Sequence, residues 1–598
     1  MKELEYPFNA EEILKKRKSF KKALEAENKD RIIKKIAVLG GSTTHDIVNI
    51  LDLFLLNYGI KAEFYESEYG KYWEDVIFNN PELVSFNPDI IIIHTSNRNI
   101  ITYPCVKDTE STINTLLDTE FNKYEKMWKK IEEEYHCPII QNNFELLFYR
   151  LLGNKDISDI HGRNYFINQL NNKFYEYAQK HQNFYINDIA YLQASYGIDK
   201  WSQPFYWHMY KYCLCVNAIP ELSFNLANII KSIYGKNKKA FVLDLDNTLW
   251  GGIVGDDGYD NIEIGQETSL GQLYAEFQSY IKEHKDLGIL LTIDSKNEEE
   301  NALNGLNRPD SVLKPEDFIV IKANWEPKDQ NLLTIAKELN IGEDSLVFID
   351  DNPAERSIVE NQVPVCAVPN IGTPEQYIQI INKSGFFEIT NFSKDDLSRN
   401  EMYKANIQRA KQEASFSNYS DYLLSLEMKG EIKPFNALYM NRIAQLTNKS
   451  NQFNLTTKRC SQTDIENYAA NANYITLYGK LEDKFGDNGV VSVVFGHQDE
   501  TDKSIFHIDL WLMSCRVLKR DMENAMKDCL IEECQKRGIN LLVGYYYPTA
   551  KNKMVKDFYK TQGFTRISED QEGNSIWHYK IPSSYEKTNK VIKINEQN

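Results

Sequence analysis

The stretch AFVLDLDNTLWGGIVGDDG, residues 240–258, ends an apolar run with two aspartates two positions apart. A carboxylate taken out of water is costly unless a partner charge or proton chemistry uses it, so Asp244 and Asp246 constrain whatever strand carries them. From residue 239 the chain reads KAFVLDLD, a helical pattern at 270–287, GILLTIDSKN, a helical pattern near 328–339, SLVFIDDNP and VPVCAVP. Alternating β and α elements of this kind predict a parallel sheet. Each polar cluster falls at the carboxyl end of a strand, the edge where open α/β sheets bind ligands.

At 598 residues the chain exceeds one hydrophobic core, and ~150 residues per domain predicts three or four. Upstream, KIAVLG (34–39) runs into GGSTTHDI and a helical pattern, while DIIIIHTS (89–96) lacks alternation and reads as a parallel strand buried on both faces. Downstream, VVSVVFGHQ, IFHIDLWLMSC and INLLVGYYY are strands, and RDMENAMKDCLIEECQKRG between the last two is a helix. A charged helical stretch at 393–426 separates this region from the centre and is expected to dock one domain on the next.

A net charge of −17 opposes nucleic acid and anionic membranes, which need clustered cations. KKRKSFKK (15–22) is the one basic cluster and reads as a solvated helix face. No window reaches ~18 uninterrupted apolar residues, so no membrane span and a cytoplasmic location are expected. Nine irregularly spaced cysteines point to buried free thiols rather than zinc knuckles.

Four clusters in register, DLDNT, DSKN, EPKDQN and FIDDNP, resemble the haloacid dehalogenase (HAD) phosphotransferase superfamily. The resemblance implies Asp244 as the nucleophile that forms an aspartyl phosphate. It implies Asp246 as the acid that protonates the leaving oxygen and then activates water. Mg2+, which favours oxygen donors, would be held by Asp244, the carbonyl of Asp246 and Asp351, with Asp350 supporting. Ser295 would bind a phosphoryl oxygen, Lys328 would offset its charge, and Thr248 and Asn297 would meet the substrate.

LDLDNTLWGGIVGDDG, SKN, NWEPKDQN and FIDDNPAER extend the likeness to the FkbH-like branch, HAD subfamily IIIC, across nearly the whole chain. That branch takes glyceryl from 1,3-bisphosphoglycerate to the phosphopantetheine thiol of an acyl carrier protein. Where it commonly reads Cys-Ser-Lys-Asn, this chain has Asp294-Ser295-Lys296-Asn297. A carboxylate cannot serve as an acyl-thioester station, so plain phosphatase action gains weight. A phosphosugar or nucleotide-sugar phosphatase fused to an N-acyltransferase of surface-polysaccharide synthesis is one alternative. A carrier-protein docking platform without catalysis is another.

GGST resembles the first block of SGNH hydrolases, with Ser42 as nucleophile and Asn97 as oxyanion donor, although Asp199 and His208 lack the usual Asp-x-x-His spacing. A Gly turn with Ser and Thr caps explains the same residues. DKFGDNGVVSVV, LWLMSCRVLKRDMENAM and NKMVKDFYKTQGF resemble the GNAT acyltransferase fold, which implies acyl-CoA or phosphopantetheine held near Arg516, Lys519 and Arg520, with Tyr559 as general acid. Lys519 and Asp521 fill two positions that fold keeps as glycine.

The expectation is therefore an α/β protein of three domains. These are a doubly wound SGNH-like domain (1–235), a HAD Rossmann-like domain with a minimal cap (236–392) and, after the helical linker (393–426), a GNAT-like mixed α/β domain (427–582). A tail at 583–598 is expected to fray. The expected partners are a small phosphorylated substrate and an acyl carrier protein.

Overall fold

The computed structural model describes residues 1–27, 31–392, 394–450, 452–549 and 551–594. The chain forms two compact units, Met1–Ile233 with Glu388–Asn391, and Tyr234–Phe387 with Phe392–Asn598.

In the first unit, strands β1 (Ile32–Gly40), β2 (Ile60–Glu66), β3 (Ile90–His94), β4 (Ile139–Asn142) and β5 (Phe184–Asn187) form a parallel sheet in the order β2-β1-β3-β4-β5. The unbroken isoleucine run of β3 follows from burial on both faces. Ile91 and Ile93 pack with Trp128 and Phe174, contributed by helices Glu110–Tyr135 and Arg163–Lys180. Ile90 and Ile92 point the other way and are also fully buried.

The second unit holds two sheets. Strands β6 (Ala240–Leu243), β7 (Leu290–Ser295), β8 (Val320–Ala323) and β9 (Leu346–Ile349) are parallel in the order β8-β7-β6-β9. Phe241, Leu243, Leu291 and Ile293 face Phe277 and Ile281 of helix Ser269–Asp286. Ala240, Val242 and Phe348 face Leu332 and Ile335 of helix Lys328–Leu339. The register sets Leu243 beside Ile293 and Ile349. One step further along the chain, Asp244, Asp294 and Asp350 therefore stand together at the carboxyl edge of the sheet, Asp294 still within β7.

The other sheet contains β10 (Lys429–Lys433), β11 (Tyr474–Asp483), β12 (Gly486–Gln498), β13 (Ile505–Met513), β14 (Leu541–Tyr546), β15 (Thr565–Glu569), β16 (Ser575–Lys580) and β17 (Lys593–Ile594). Its order is β15-β16-β14-β13-β12-β11-β10-β17, and its pairs are antiparallel except β13 with β14 and β10 with β17. Strands β13 and β14 pair only over Ile505–Ile508 and Leu541–Gly544. Beyond that point the chain's own Phe453–Leu455 enters between them. Leu455 N donates to Trp511 O at 3.1 Å, Met513 N to Phe453 O at 3.0 Å, and Tyr547 N to Leu455 O at 2.9 Å.

The charged stretch after 393 is helical over Arg399–Glu413 and Tyr419–Ser425. Its helices reach the cores of both sheets. Tyr403 joins the core beneath the central sheet, and Tyr422 and Leu423 join the core of the mixed sheet. The expectation of a fraying tail is corrected for 583–594: the buried Asp528 carboxylate accepts from Tyr585 OH at 2.6 Å, Thr588 N at 3.0 Å and Asn589 N at 2.9 Å, and β17 follows. A polar anchor of this kind leaves no apolar pattern in the sequence. Residues 595–598 lie outside the described residues. No helix among the described residues is long and apolar enough to cross a membrane.

Candidate active site at the carboxyl edge of the central sheet

Asp244 follows β6 directly, and its backbone N–H donates to Ile349 O at 2.9 Å, which ties the end of β6 to β9. Carboxylate oxygens of Asp244, Asp350 and Asp351 all lie within 4.8 Å of one another. Lys328, the first residue of its helix, reaches back into this cluster, with Nζ 3.0 Å from Asp244 Oδ1 and hydrogen-bonded to Asp350 Oδ2. Burial opposes the lysine's charge, but Asp244 and Asp350 outweigh it and hold the ammonium above its ordinary pKa.

One ammonium does not balance three carboxylates. Burial, then the charge of Asp244, pushes Asp350 up to about 6 although Lys328 pulls it down. The same two causes raise Asp351. Three converging carboxylates with a charge deficit are a hard-oxygen donor set that suits Mg2+. The residues present therefore fit the ion that the sequence implied.

Asp246 is held apart from this cluster. Its Oδ1 accepts from Trp250 Nε1 at 2.9 Å and Val254 N at 3.0 Å, and its Oδ2 from Asn297 Nδ2 at 2.9 Å. Burial nevertheless raises its pKa against those donors. Two neighbouring aspartates thus have separate environments: one faces the carboxylate cluster, the other sits in a cradle of N–H donors.

Ser295 and Asn297 lie together at the end of β7, with Asn297 Nδ2 3.2 Å from Ser295 Oγ. Thr248 stands beside the carboxylate loop. Its Oγ1 accepts from Asp351 N at 3.1 Å and so locks the loop that carries two of the carboxylates. Asp294 is fully buried, with Oδ1 accepting from Asn331 Nδ2 at 3.0 Å and Oδ2 lacking a hydrogen-bond partner among the described residues. Burial pushes it up to about 8, against the pull of Lys328. Burial thus favours the neutral acid at the position beside Asp244.

Sequence reasoning missed three supports. Arg356 donates through Nη1 to Asp350 O and Asp351 O, each at 2.7 Å. Trp250 holds Asp246, and Asn331 holds Asp294. Trp250 and Arg356 stand four to six positions from the groups they hold, within the motifs quoted above, whereas Asn331 is 37 positions from Asp294. Spacing could have flagged the first two but not Asn331.

The candidate acyltransferase residues do not converge. Arg520 is buried, 3.2 Å from Asp483 Oδ2, and Arg409 engages the same carboxylate at 2.7 Å. A buried carboxylate needs such partners, so this arginine turns inward instead of toward a ligand. Arg516 lies against Ser514 Oγ and Met402 Sδ. Tyr559 is packed in the core, its ring so close to Gly544 that a Cβ there would sit 2.4 Å from it. Lys519 and Asp521 adopt φ of 65° and 68°, the left-handed backbone that glycine favours, so the turn keeps its shape with the wrong side chains.

Ser42 stands at the carboxyl end of β1, and no general base meets its hydroxyl among the described residues. Its Oγ is 3.4 Å from Cys213 Sγ, which in turn lies 3.3 Å from His94 Nε2. Asn142 Nδ2 donates to Thr95 O and contacts His94 Nδ1 at 2.9 Å. The amide donor makes Nδ1 the acceptor, so the ring's proton sits on Nε2 and points at sulfur. Burial lowers His94 to about 4 and raises Cys213 to about 12. Asn97 donates to Glu145 O and Leu146 O, each at 3.3 Å, instead of forming an oxyanion site. Asp199 and His208 are exposed. Spacing alone could not have shown that a thiol stands where an esterase needs a base.

Residues 35–231 match the family model described as FkbH, N-terminal domain. The N-terminal part of the protein BF1531 from Bacteroides fragilis, containing a phosphatase domain and complexed with Mg, is 30% identical, with 63% of this chain and 99% of that chain covered and a TM-score of 0.58. Over about a quarter of this chain, the ribosomal-protein-S18-alanine N-acetyltransferase from Escherichia coli aligns at 13% identity, with 27% of this chain and 99% of that chain covered and a TM-score of 0.20. The yncA protein from Salmonella typhimurium with its cofactor acetyl-CoA gives 13%, 27%, 98% and 0.21 in the same terms. No curated protein matches the chain.

Proposed function

Because this chain belongs to the FkbH family, we propose that its central domain is a Mg2+-dependent phosphotransferase that removes phosphate from a small phosphorylated acyl or sugar intermediate by way of an aspartyl phosphate. The observation that carries this reading is the convergence of Asp244, Asp350, Asp351 and Lys328, with Asp246 cradled separately.

Asp244 supplies the attacking carboxylate oxygen. Asp246, whose pKa burial raises, gives a proton to the departing oxygen and then takes one from water as the aspartyl phosphate is hydrolysed. Trp250, Val254 N and Asn297 fix that carboxyl group so that the transfer requires no search. Lys328 offsets charge on the nucleophile, and Ser295 offers a hydroxyl to the phosphoryl group. Mg2+ bound by Asp244, Asp350 and Asp351 would supply Lewis-acid neutralisation of the phosphoryl oxygens.

Asp294 favours hydrolysis over acyl transfer through an enzyme thioester. Cys366 does not replace the missing thiol: it is buried, bonded to Leu346 O, and raised to about 12 by its burial. An acyl carrier protein remains the proposed bearer of the intermediate, the phosphosugar route being the alternative. The test is phosphate release from a generic phosphate ester with Mg2+ and with chelator, in wild type and Asp244→Asn. Undiminished release by Asp244→Asn would remove the assignment.

A further inference from the structure

The first unit gathers exposed apolar side chains at one place. Its five strands are parallel, so the loops after β1, β3 and β4 share the carboxyl edge of the sheet. Ile101 and Val106 on the loop after β3, and Phe148 and Leu151 on the loop after β4, are all exposed, at 46% to 73%. Beside them, helix Pro204–Tyr210 buries none of its residues and shows Phe205 and Met209 at 61% and 59%.

Contacts tie these segments into one surface. Thr43, just after β1, is bonded to Tyr210 O and Lys211 O. Arg98 lies over the Trp207 ring at 5.4 Å, and Arg163 over Tyr103 at 5.4 Å and Tyr149 at 5.8 Å. Tyr212 OH and Arg17 Nη1 share the Asp46 carboxylate, each at 2.6 Å, which brings in helix Ala10–Ala26 with its exposed Lys15 and Lys18. A cleft of about 390 Å³ opens there, lined by Lys15, Arg17, Lys18, Asp46, Leu14 and Val216.

Monomeric proteins rarely leave such an apolar collection exposed without a use. The segments 10–26, 97–108, 146–163 and 198–213 hold thirteen Lys and Arg against seven Asp and Glu, whereas the whole chain holds 69 against 86. We propose that this edge is a docking surface for a small acidic protein, with Phe205 and Met209 as apolar anchors and Arg98, Lys211, Lys15 and Lys18 as the complementary charges. This rests on the carrier-protein form of the function proposed above.

Charge separates this occupant from the others. Screening confines electrostatics to roughly 8 Å at physiological salt, so a small partner meets the basic edge alone. An anionic membrane extends past that edge and meets the rest of a chain whose net charge is −17. A second copy docked about a twofold axis would set basic edge against basic edge.

The experiment measures binding of the full chain to a holo acyl carrier protein by biolayer interferometry, for wild type, Phe205→Ser/Met209→Ser and Lys211→Glu. Phosphate release from a generic ester is followed alongside. The expected result is binding that weakens about tenfold or more in each variant and falls several-fold between about 0.05 and 0.3 M salt, with phosphate release unchanged. Carrier binding that ignores both variants, or no binding up to about 100 µM, overturns the proposal. So does loss, in the variants, of affinity for phosphatidylglycerol vesicles or of self-association in place of carrier binding. Phosphate release reports separately on the central site: its absence removes the phosphotransferase reading whatever the carrier does.

Discussion

At the residue scale, the division of work proposed for the paired aspartates rests on their different surroundings. Asp244→Asn is expected to abolish phosphate release while leaving the melting profile within about 1 kcal/mol of wild type, because the amide keeps the shape and loses the nucleophile. Asp246→Asn is expected to release phosphate at least ~100-fold more slowly while still accepting a phosphoryl group, seen as a mass gain on acid-quenched protein. Absence of any gain under substrate excess would assign Asp246 another role. Asp294 allows a pH test in the absence of metal. Its folded pKa, near 8, lies above that of the unfolded chain, so the stabilisation is complete below about pH 4 and is lost as pH rises through about 8. Asp294→Asn removes the titrating group, so its stability relative to wild type is expected to rise between about pH 5 and 8, by at most about 1.4 kcal/mol per pH unit. Parallel urea midpoints across that range would show that Asp294 is ionised in the fold. Both aspartates of DLD were legible from sequence as strand-end chemistry. The protonation of Asp294 was not, because it depends on packing from helix Lys328–Leu339, which places Asn331 beside it.

At the element scale, the mixed sheet shows how a strand gap can be filled from within. Where β13 diverges from β14, unpaired backbone groups offer an extended ligand arm a place to add as a strand. Phe453–Leu455 takes those bonds, and Asn552 Nδ2 fastens Asn454 O at 2.9 Å. Acetyl-CoA is therefore expected to give no measurable heat on titration into wild type, and Asp521→Gly is expected not to restore it. Relieving the turn leaves both the filled gap and the inward Arg520 in place. Tight binding by wild type would show that Phe453–Leu455 is displaced easily. Sequence periodicity recovered β12, β13 and β14 because their apolar runs are long. It could not register Phe453–Leu455, whose three residues act as a strand only through partners some sixty to ninety positions away.

At the scale of the whole molecule, two compact units share one chain and only the second carries the carboxylate cluster. Calorimetry is expected to resolve two unfolding transitions, of which Mg2+ raises one. Saturation at about a hundredfold over Kd corresponds to roughly 2.7 kcal/mol, which chelator should reverse. A shift of both transitions, or of neither, would place the ion elsewhere. What the sequence determined by itself was whatever is local or periodic: the longest apolar strands, the parallel character of the first two sheets, and four polar clusters at strand ends. Those features are written in short-range hydrophobic pattern and in motif order. Tertiary structure decided the rest, because it depends on which distant groups meet in a low-dielectric interior. Lys328 and Asp244 are 84 positions apart and form an ion pair. Ser42 faces a thiol 171 positions away instead of a base, and Arg520 is drawn inward by Asp483. A residue's type fixes what chemistry it can do; burial and partners, set only when the chain has folded, fix whether it does it.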